Sequence, residues 1–266
     1  MRIRTRALTA LALAALIAPP TCVAQAPDFT WHGTLAAGKT IEIRGVSGRI
    51  DAEPASGNTI EVSATKRERR HGDAEDVKIE VVESTAGVTI CAVYPTPNRA
   101  RRDNHCGAGR DYQMNTDNND VEVNFTVKVP RGVRLEAGTV NGSIRATNLA
   151  GDASLSTVNG GIDVTTSGLV EAHTVNGDID ARIGRADWTG NLEFNTVNGG
   201  ITLTAPASLS TDIEASTVNG AVDSDFPITI SGRMERRHLR GTIGTGGSRS
   251  LELTTVNGGI ELRKGA

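Results

Sequence analysis

Aromatic residues are scarce, at 3% of the 266 residues, with two tryptophans, two tyrosines and four phenylalanines. Trp31 and Trp188 are thus the only indole rings available for stacking on sugars. Histidine is thin too: His32, His71, His105, His173 and His238 are scattered, no H-E-x-x-H pair occurs, and no G-x-S-x-G elbow is present. Those absences remove the signatures of zinc-dependent and serine-dependent hydrolysis. No amphipathic helical stretch of useful length can be read anywhere, which points to an all-β chain. Beyond the N-terminus no apolar run is long enough to cross a bilayer, so the mature protein is expected to have no transmembrane segment and to be soluble. Positive charge is in slight deficit, with 28 Lys and Arg against 31 Asp and Glu. An acidic balance argues against a nucleic-acid partner.

The N-terminus is a targeting segment. Arg2, Arg4 and Arg6 precede an apolar run from Ala7 to Ile17, and small residues follow, so residues 1–24 read as a secretory signal peptide. Cleavage after Ala24 is favoured over cleavage after Ala26, which would leave Pro27 first. Loss of the leader's three arginines carries the formal charge from −3 to −6. A lipoprotein would be acylated at Cys22, but Pro19-Pro20-Thr21 fits the required motif poorly. The chain is therefore expected to be exported, to the periplasm first, with the cell surface or the medium as other destinations. Cys91 and Cys106 survive cleavage, and an oxidising compartment favours a bridge between them, closing a loop from Ala92 to His105. The rival is a metal site, because His105 adjoins Cys106; two thiols without CxxC spacing support it weakly.

What the chain does have is a repeat. Thr-Val-Asn-Gly occurs six times, with its Asn-Gly pair at Asn141-Gly142, Asn159-Gly160, Asn176-Gly177, Asn198-Gly199, Asn219-Gly220 and Asn257-Gly258. The asparagines lie 18, 17, 22, 21 and 38 residues apart, the last gap being close to two periods. A period near 20 residues means stacked units, each too small to bury its own apolar face. Residues 40–51 form a degenerate copy of the last repeat, 250–261. Between residues 53 and 132 the short period gives way to longer alternating runs, Ile60–Ala64, Val77–Val82, Val88–Val93 and Val121–Val129, which read as half-buried strands. Polar loops, Lys66–Asp76 and Thr96–Asp120, separate them. The expected organisation is a β-rich region over 25–132 and a repeat β-solenoid over 133–266.

Aligning the repeats exposes three apolar columns. Four residues before each motif stand Leu135, Ala153, Val170, Leu192, Ile213 and Leu251; two before stand Ala137, Leu155, Ala172, Phe194, Ala215 and Leu253. Five residues after the Thr stand Ile144, Ile162, Ile179, Ile201, Val222 and Ile260. The odd spacing across the motif would send the two stretches to opposite faces of a continuous strand. The chain must therefore turn at Val-Asn-Gly, where Asn and Gly adopt positive φ cheaply. A type I′ hairpin and a solenoid corner both fit. We favour the corner, with each motif lying over the one before and the asparagine amides forming a ladder.

The Val-Asn-Gly-x-Ile units, Gly241-Thr242-Ile243-Gly244 with Leu251 to Leu262, and the segment Val88 to Pro95 resemble an adhesin family of β-strand-repeat envelope proteins, otherwise a domain of unknown function. The likeness covers most of the mature chain. It implies a single-stranded β-solenoid (β-helix) exported to the envelope, and it carries over no catalytic residues.

Two outward columns hold candidate chemistry. One reads Glu136, Ser154, Glu171, Glu193, Glu214 and Glu252, with Glu42 in the first copy; the other reads Arg145, Asp163, Asp180, Thr202, Asp223 and Glu261, with Asp51. Stacked at about 4.8 Å, like charges repel by about 1 kcal/mol in water, and cations or a basic partner would relieve this. Calcium is the candidate ion for such oxygen ligands, although a solvated, screened strand face accounts for the same pattern. Basic clusters at 66–71, 99–102 and 233–240 are expected on loops, offsetting the acids or holding an anionic glycan. Asp163 and Asp180 are the pair a carbohydrate-active enzyme would use, but acids repeated in most coils look like a surface pattern. The expectation is a structural or adhesin-like binding protein without cofactor or resident metal, whose partner is an envelope glycan or protein; a periplasmic accessory or scaffold protein is the other non-catalytic reading.

Overall fold

The computed structural model describes residues 27–230 and 237–265. Residues 1–24, expected to be a signal peptide, and Arg233 and Arg236 of the third basic cluster fall outside the described residues. In chain order the strands are β1 (Phe29–Thr34), β2 (Thr40–Arg44), β3 (Ile50–Pro54), β4 (Thr59–Arg67), β5 (Lys78–Glu83), β6 (Gly87–Val93), β7 (Glu122–Val129), β8 (Arg134–Gly138), β9 (Ile144–Leu149), β10 (Ala153–Ser156), β11 (Ile162–Thr166), β12 (Val170–His173), β13 (Ile179–Arg182), β14 (Gly190–Asn195), β15 (Ile201–Ala205), β16 (Thr211–Ser216), β17 (Val222–Ser224), β18 (Ile228–Ile230), β19 (His238–Ile243), β20 (Arg249–Thr254) and β21 (Ile260–Lys264). Helix is limited, among the described residues, to two 3-10 turns of three residues each. The protein is all-β, built as two long mixed sheets.

Each repeat contributes one strand to each sheet. The strand before the motif joins an eleven-stranded sheet, the strand after it a ten-stranded sheet, and the motif carries the chain from one to the other. Neighbouring coils pair in parallel and in register, Leu155 against Ala137 and Ala172, Ile162 against Ile144 and Ile179. All three apolar columns are buried between the sheets, except Val222 on the terminal strand β17, which is half-buried. Each buried aliphatic side chain is worth about 1.5–3 kcal/mol, and the column repeats that gain coil after coil. Strands from both sides of residue 133 share both sheets: β2 pairs with β8 and β3 with β9.

The stacking order departs from the expected succession at the C-terminal end. The last coil, β20 and β21, is inserted between the coil of β14 and β15 and that of β16 and β17. Among its described residues the 38-residue gap thus holds no further coil. Two antiparallel strands occupy part of it, β19 along β16 and β18 along β19. The N-terminal end follows the same rule. The first coil, β2 and β3, lies between β8 and β9 on one side and β6 and β7 on the other, and antiparallel strands close that end, β5 on β6 and β4 then β1 on β7. A parallel stack presents unpaired backbone at its ends, and antiparallel caps or short edge strands such as β17 blunt it.

The motif is a corner rather than a hairpin: the chain bends at Val and at Gly, and the Asn between them bridges in parallel to the Asn of the adjacent coil. Each position has its own task. The Thr is buried, and its hydroxyl donates to the Gly carbonyl of the neighbouring coil, as in Thr157 to Gly142 at 2.8 Å, Thr174 to Gly160 at 2.9 Å and Thr217 to Gly258 at 2.8 Å. The Asn amides form an unbroken ladder, Asn159 Nδ2 donating to Asn141 Oδ1 at 2.8 Å, Asn176 to Asn159 at 2.8 Å, Asn198 to Asn176 at 2.7 Å, Asn257 to Asn198 at 2.7 Å and Asn219 to Asn257 at 2.8 Å.

The expectation of positive φ at these corners is corrected. Among the described residues only Asn118 and Asn148 are non-glycine residues with positive φ, and of the six motif glycines only Gly160, at φ 159°, has a positive value, on the border of extended backbone. Glycine is required for space instead. A Cβ on Gly177 would stand 2.1 Å from the Gly160 carbonyl oxygen, and one on Gly199 would stand 2.0 Å from that of Gly177. Stacked corners approach too closely for any side chain.

Gly177→Ala should therefore lower stability by about 3 kcal/mol, as overpacking against an immovable backbone does. Gly259→Ala, whose Cβ would meet nothing nearer than 3.6 Å, should leave it nearly unchanged. Urea midpoints at unchanged m-value provide the comparison.

Candidate functional site

Because the core columns alternate with outward positions, every coil places one side chain on the outer face of each sheet at the same height. On the larger sheet the spatial order of the acidic row is Glu42, Glu136, Ser154, Glu171, Glu193, Glu252, Glu214. Insertion of the last coil moves Glu252 between Glu193 and Glu214. Neighbours blunt the like-charge contacts: Arg134 lies 3.5 Å from Glu136 and 3.6 Å from Glu171, and Asn191 Nδ2 donates to Glu193 at 2.6 Å and to Glu252 at 3.2 Å. Glu214 is in register with Arg240 of the capping strand β19.

On the other sheet the order is Asp51, Arg145, Asp163, Asp180, Thr202, Glu261, Asp223. Arg145 approaches Asp163 at 3.3 Å, Arg49 holds Asp51 at 2.8 Å, and Arg263 pairs with Glu261. Among the described residues Asp180 accepts no side-chain hydrogen bond. An open concavity of about 730 Å³ lies over the start of this row, lined by Arg49, Asp51, Arg145, Asp163, Asp178 and Asp180. Asp163 and Asp180 stand side by side on one sheet face rather than across a cleft. Among the described residues no three of His, Cys, Asp and Glu gather closely enough to hold a metal ion. A row of strands offers carboxylates from one side, whereas calcium wraps itself in six to eight oxygens.

Glu42 is a correction to the outward column. It is 4% exposed and lies beneath the 94–121 loop. There it accepts from Thr89 Oγ1 at 2.7 Å, from Arg44 Nε at 2.7 Å and from the Gly109 backbone N–H at 3.1 Å. Cys91 and Cys106 are bridged, and the loop covers the outside of β6, so all seven of its residues are buried. Tyr94 donates to the Val121 carbonyl at 2.7 Å, and burial pushes its pKa up to about 12; burial raises that of Tyr112 as well. Sequence reasoning missed this enclosure because a strand buried on both faces shows only as the unbroken apolar run Ile90 to Tyr94.

The basic clusters are corrected in part. Lys66 and Arg67 end strand β4, and His238 to Arg240 begin strand β19. Arg99, Arg101 and Arg102 are exposed outside the strands, as expected of a loop. Arg69 pairs with Glu122 at 2.5 Å. Among the described residues of the clusters, only Arg240, beside Glu214, comes to either acidic row.

Two measurements follow from this geometry. Unfolded tyrosine ionises near pH 10, so between pH 10 and about 12 the folded state keeps protons that the unfolded state releases. Stability, undiminished below pH 10, should fall across that window by on the order of 2 kcal/mol, and Tyr94→Phe should flatten the slope in circular-dichroism titrations. For the acidic rows, calcium chloride and sodium chloride at matched ionic strength should raise the melting temperature equally. An extra shift with calcium that a chelator reverses would assign the rows an ion.

No curated protein matches the sequence. Among solved structures, a candidate cell adhesion protein from Clostridium sporogenes ATCC 15579 is similar at 11% identity and a TM-score of 0.46, covering 89% of this chain and 99% of its own. The Toastrack DUF4097 family profile matches residues 38–263, from the first coil through the last inserted one. The chain therefore belongs to the Toastrack DUF4097 family.

Proposed function

We propose that the chain is an exported, non-catalytic, adhesin-like binding protein of the bacterial cell envelope, a β-solenoid whose repetitive flanks engage an envelope glycan or protein. The observation that supports it is the register. Most coils repeat an acidic side chain at the same height, from Glu136 to Glu214 on one face and from Asp51 to Asp223 on the other, with Ser154, Arg145 and Thr202 as the exceptions. Such a surface suits a partner that is itself extended or repetitive, because weak contacts add along the stack. The charged character of both faces makes that engagement electrostatic, with specificity drawn from where Arg134, Arg145 and Arg240 interrupt the acids.

The signal-like N-terminus supplies the expectation of export, and the matched family adds no catalytic assignment to it. The concavity over Asp163 and Asp180 keeps one enzymatic reading in view, a carbohydrate-active enzyme acting on acidic polysaccharide.

Expressed in a bacterial host, the chain should be recovered outside the cytoplasm with an intact mass that begins at Gln25. The purified mature protein should bind isolated cell envelopes saturably, and about 1 M salt should weaken that binding as it screens the charged faces. Recovery from the cytoplasm with the leader intact would overturn export. Cleavage of acidic polysaccharide that is lost in Asp163→Asn with Asp180→Asn would replace binding by catalysis.

A further inference from the structure

The exposed large apolar side chains among the described residues are Val140, Val158, Val175, Val197 and Val218, with 38 to 54% of each in solvent. All five are the second residue of the motif. Thr, Asn and Gly are each accounted for by contacts within the stack: a hydroxyl bond, an amide ladder and a close approach of backbones. Valine, present in every copy, has no such internal role. With the half-buried Val256 of the inserted coil, the row reads Val140, Val158, Val175, Val197, Val256, Val218. At about 4.8 Å per coil it makes a ridge roughly 24 Å long and one side chain wide.

The asparagines run beside it, and all six are exposed. An amide carries two N–H donors and two acceptor lone pairs. The ladder consumes one donor and one lone pair on each inner Asn, so every coil retains one of each. The corner therefore presents, at constant pitch, an isopropyl group, a hydrogen-bond donor and an acceptor, without charge.

Three arguments select the occupant. A single file of six valines falls far short of the ~800 Å² per partner that a stable protein interface buries, which disfavours a second copy of the chain. An extended peptide repeats its like-facing side chains every ~6.6 Å, out of step with coils at ~4.8 Å. A hydroxyl both donates and accepts, as each amide requires, and a pyranose ring turns an apolar C–H face beside its hydroxyls. We propose that the valine and asparagine ridge binds an extended neutral polysaccharide lying along the stack, its C–H faces on the valines and its hydroxyls on the amides, one sugar per coil. This deepens the envelope-binding reading and rests on it, but it assigns the contact to an uncharged edge rather than to the acidic faces.

The test is calorimetric titration of the mature chain with cello-oligosaccharides, chitin oligomers and dextran oligomers of increasing length, in about 0.5 M sodium chloride so that the charged faces are screened. At least one series should bind, with affinity that climbs to about six units and then levels, as six coils bear the motif. The triple variant Val158→Ser, Val175→Ser, Val197→Ser should weaken it at least ~10-fold at an unchanged melting temperature, since these side chains are exposed. If the triple variant melts early, Val175→Ser alone should lower affinity measurably. No binding in any series, affinity independent of length, or undiminished affinity in the variants overturns the proposal. So does a concentration-dependent dimer in sedimentation that the triple variant abolishes, which would make the ridge a self-interface. Salt-sensitive envelope binding untouched by the valine changes would leave the adhesin-like reading standing and overturn this one.

Discussion

The structure depends on how closely two corners can stack. A Cβ on any of the six motif glycines would lie within 2.2 Å of a glycine carbonyl oxygen one coil away, the partner of Gly142 being Gly48 of the degenerate coil at 1.9 Å. That approach lets the Thr hydroxyl of one coil reach the Gly carbonyl of the next, and it holds the asparagine amides at hydrogen-bonding distance. Pairing then continues through the corner, with Gly177 N–H on the Asn198 carbonyl at 2.9 Å and Asn176 N–H on that of Val158 at 2.8 Å. Buried backbone groups are costly when unpaired, and these bonds leave the two sheets joined along one edge rather than frayed.

A stack so regular has the weakness of regularity: each end offers unpaired strands. The chain meets this by returning on itself. At the N-terminal end β4 and β5 run antiparallel to the coil strands they cover and β1 pairs antiparallel outside β4, and at the other end β19 runs antiparallel to β16 with β18 antiparallel outside it. Placing first and last coils inside the stack rather than at its tips ties both ends of the chain into non-local pairing. The disulfide loop adds a lid at one place, over Glu42 and β6, where it withdraws one acid from the outward row and adds the Gly109 N–H to the donors that Thr89 and Arg44 supply from the strands.

The same regularity shapes the surface. Side chains of one kind recur at the spacing of hydrogen-bonded strands, so the molecule displays lines rather than pockets. The charged lines are locally self-paired through Arg134, Arg145 and Asn191, which lowers their mutual repulsion without erasing their sign. The uncharged line at the corner contains the exposed valines.

The apolar columns and the six motifs were legible in the chain because they are local: a period near 20 residues and a fixed spacing to Ile162 or Ile201 name the core and the corner without any long-range information. The amide ladder was legible for the same reason. The cause of the glycine was not, since φ preference and backbone clearance leave the same residue in the sequence and only the 2.0 Å approach of Gly199 to Gly177 distinguishes them. Nor was the order of the coils. Every repeat carries the same apolar faces and the same corner, so the coil of Asn257 fits between those of Asn198 and Asn219 as well as beyond them. The sequence by itself determined the unit and its period. Tertiary structure decided the succession and the burial of Glu42, because equivalent units are ordered only by where the connecting chain can reach and which end strands it must cap.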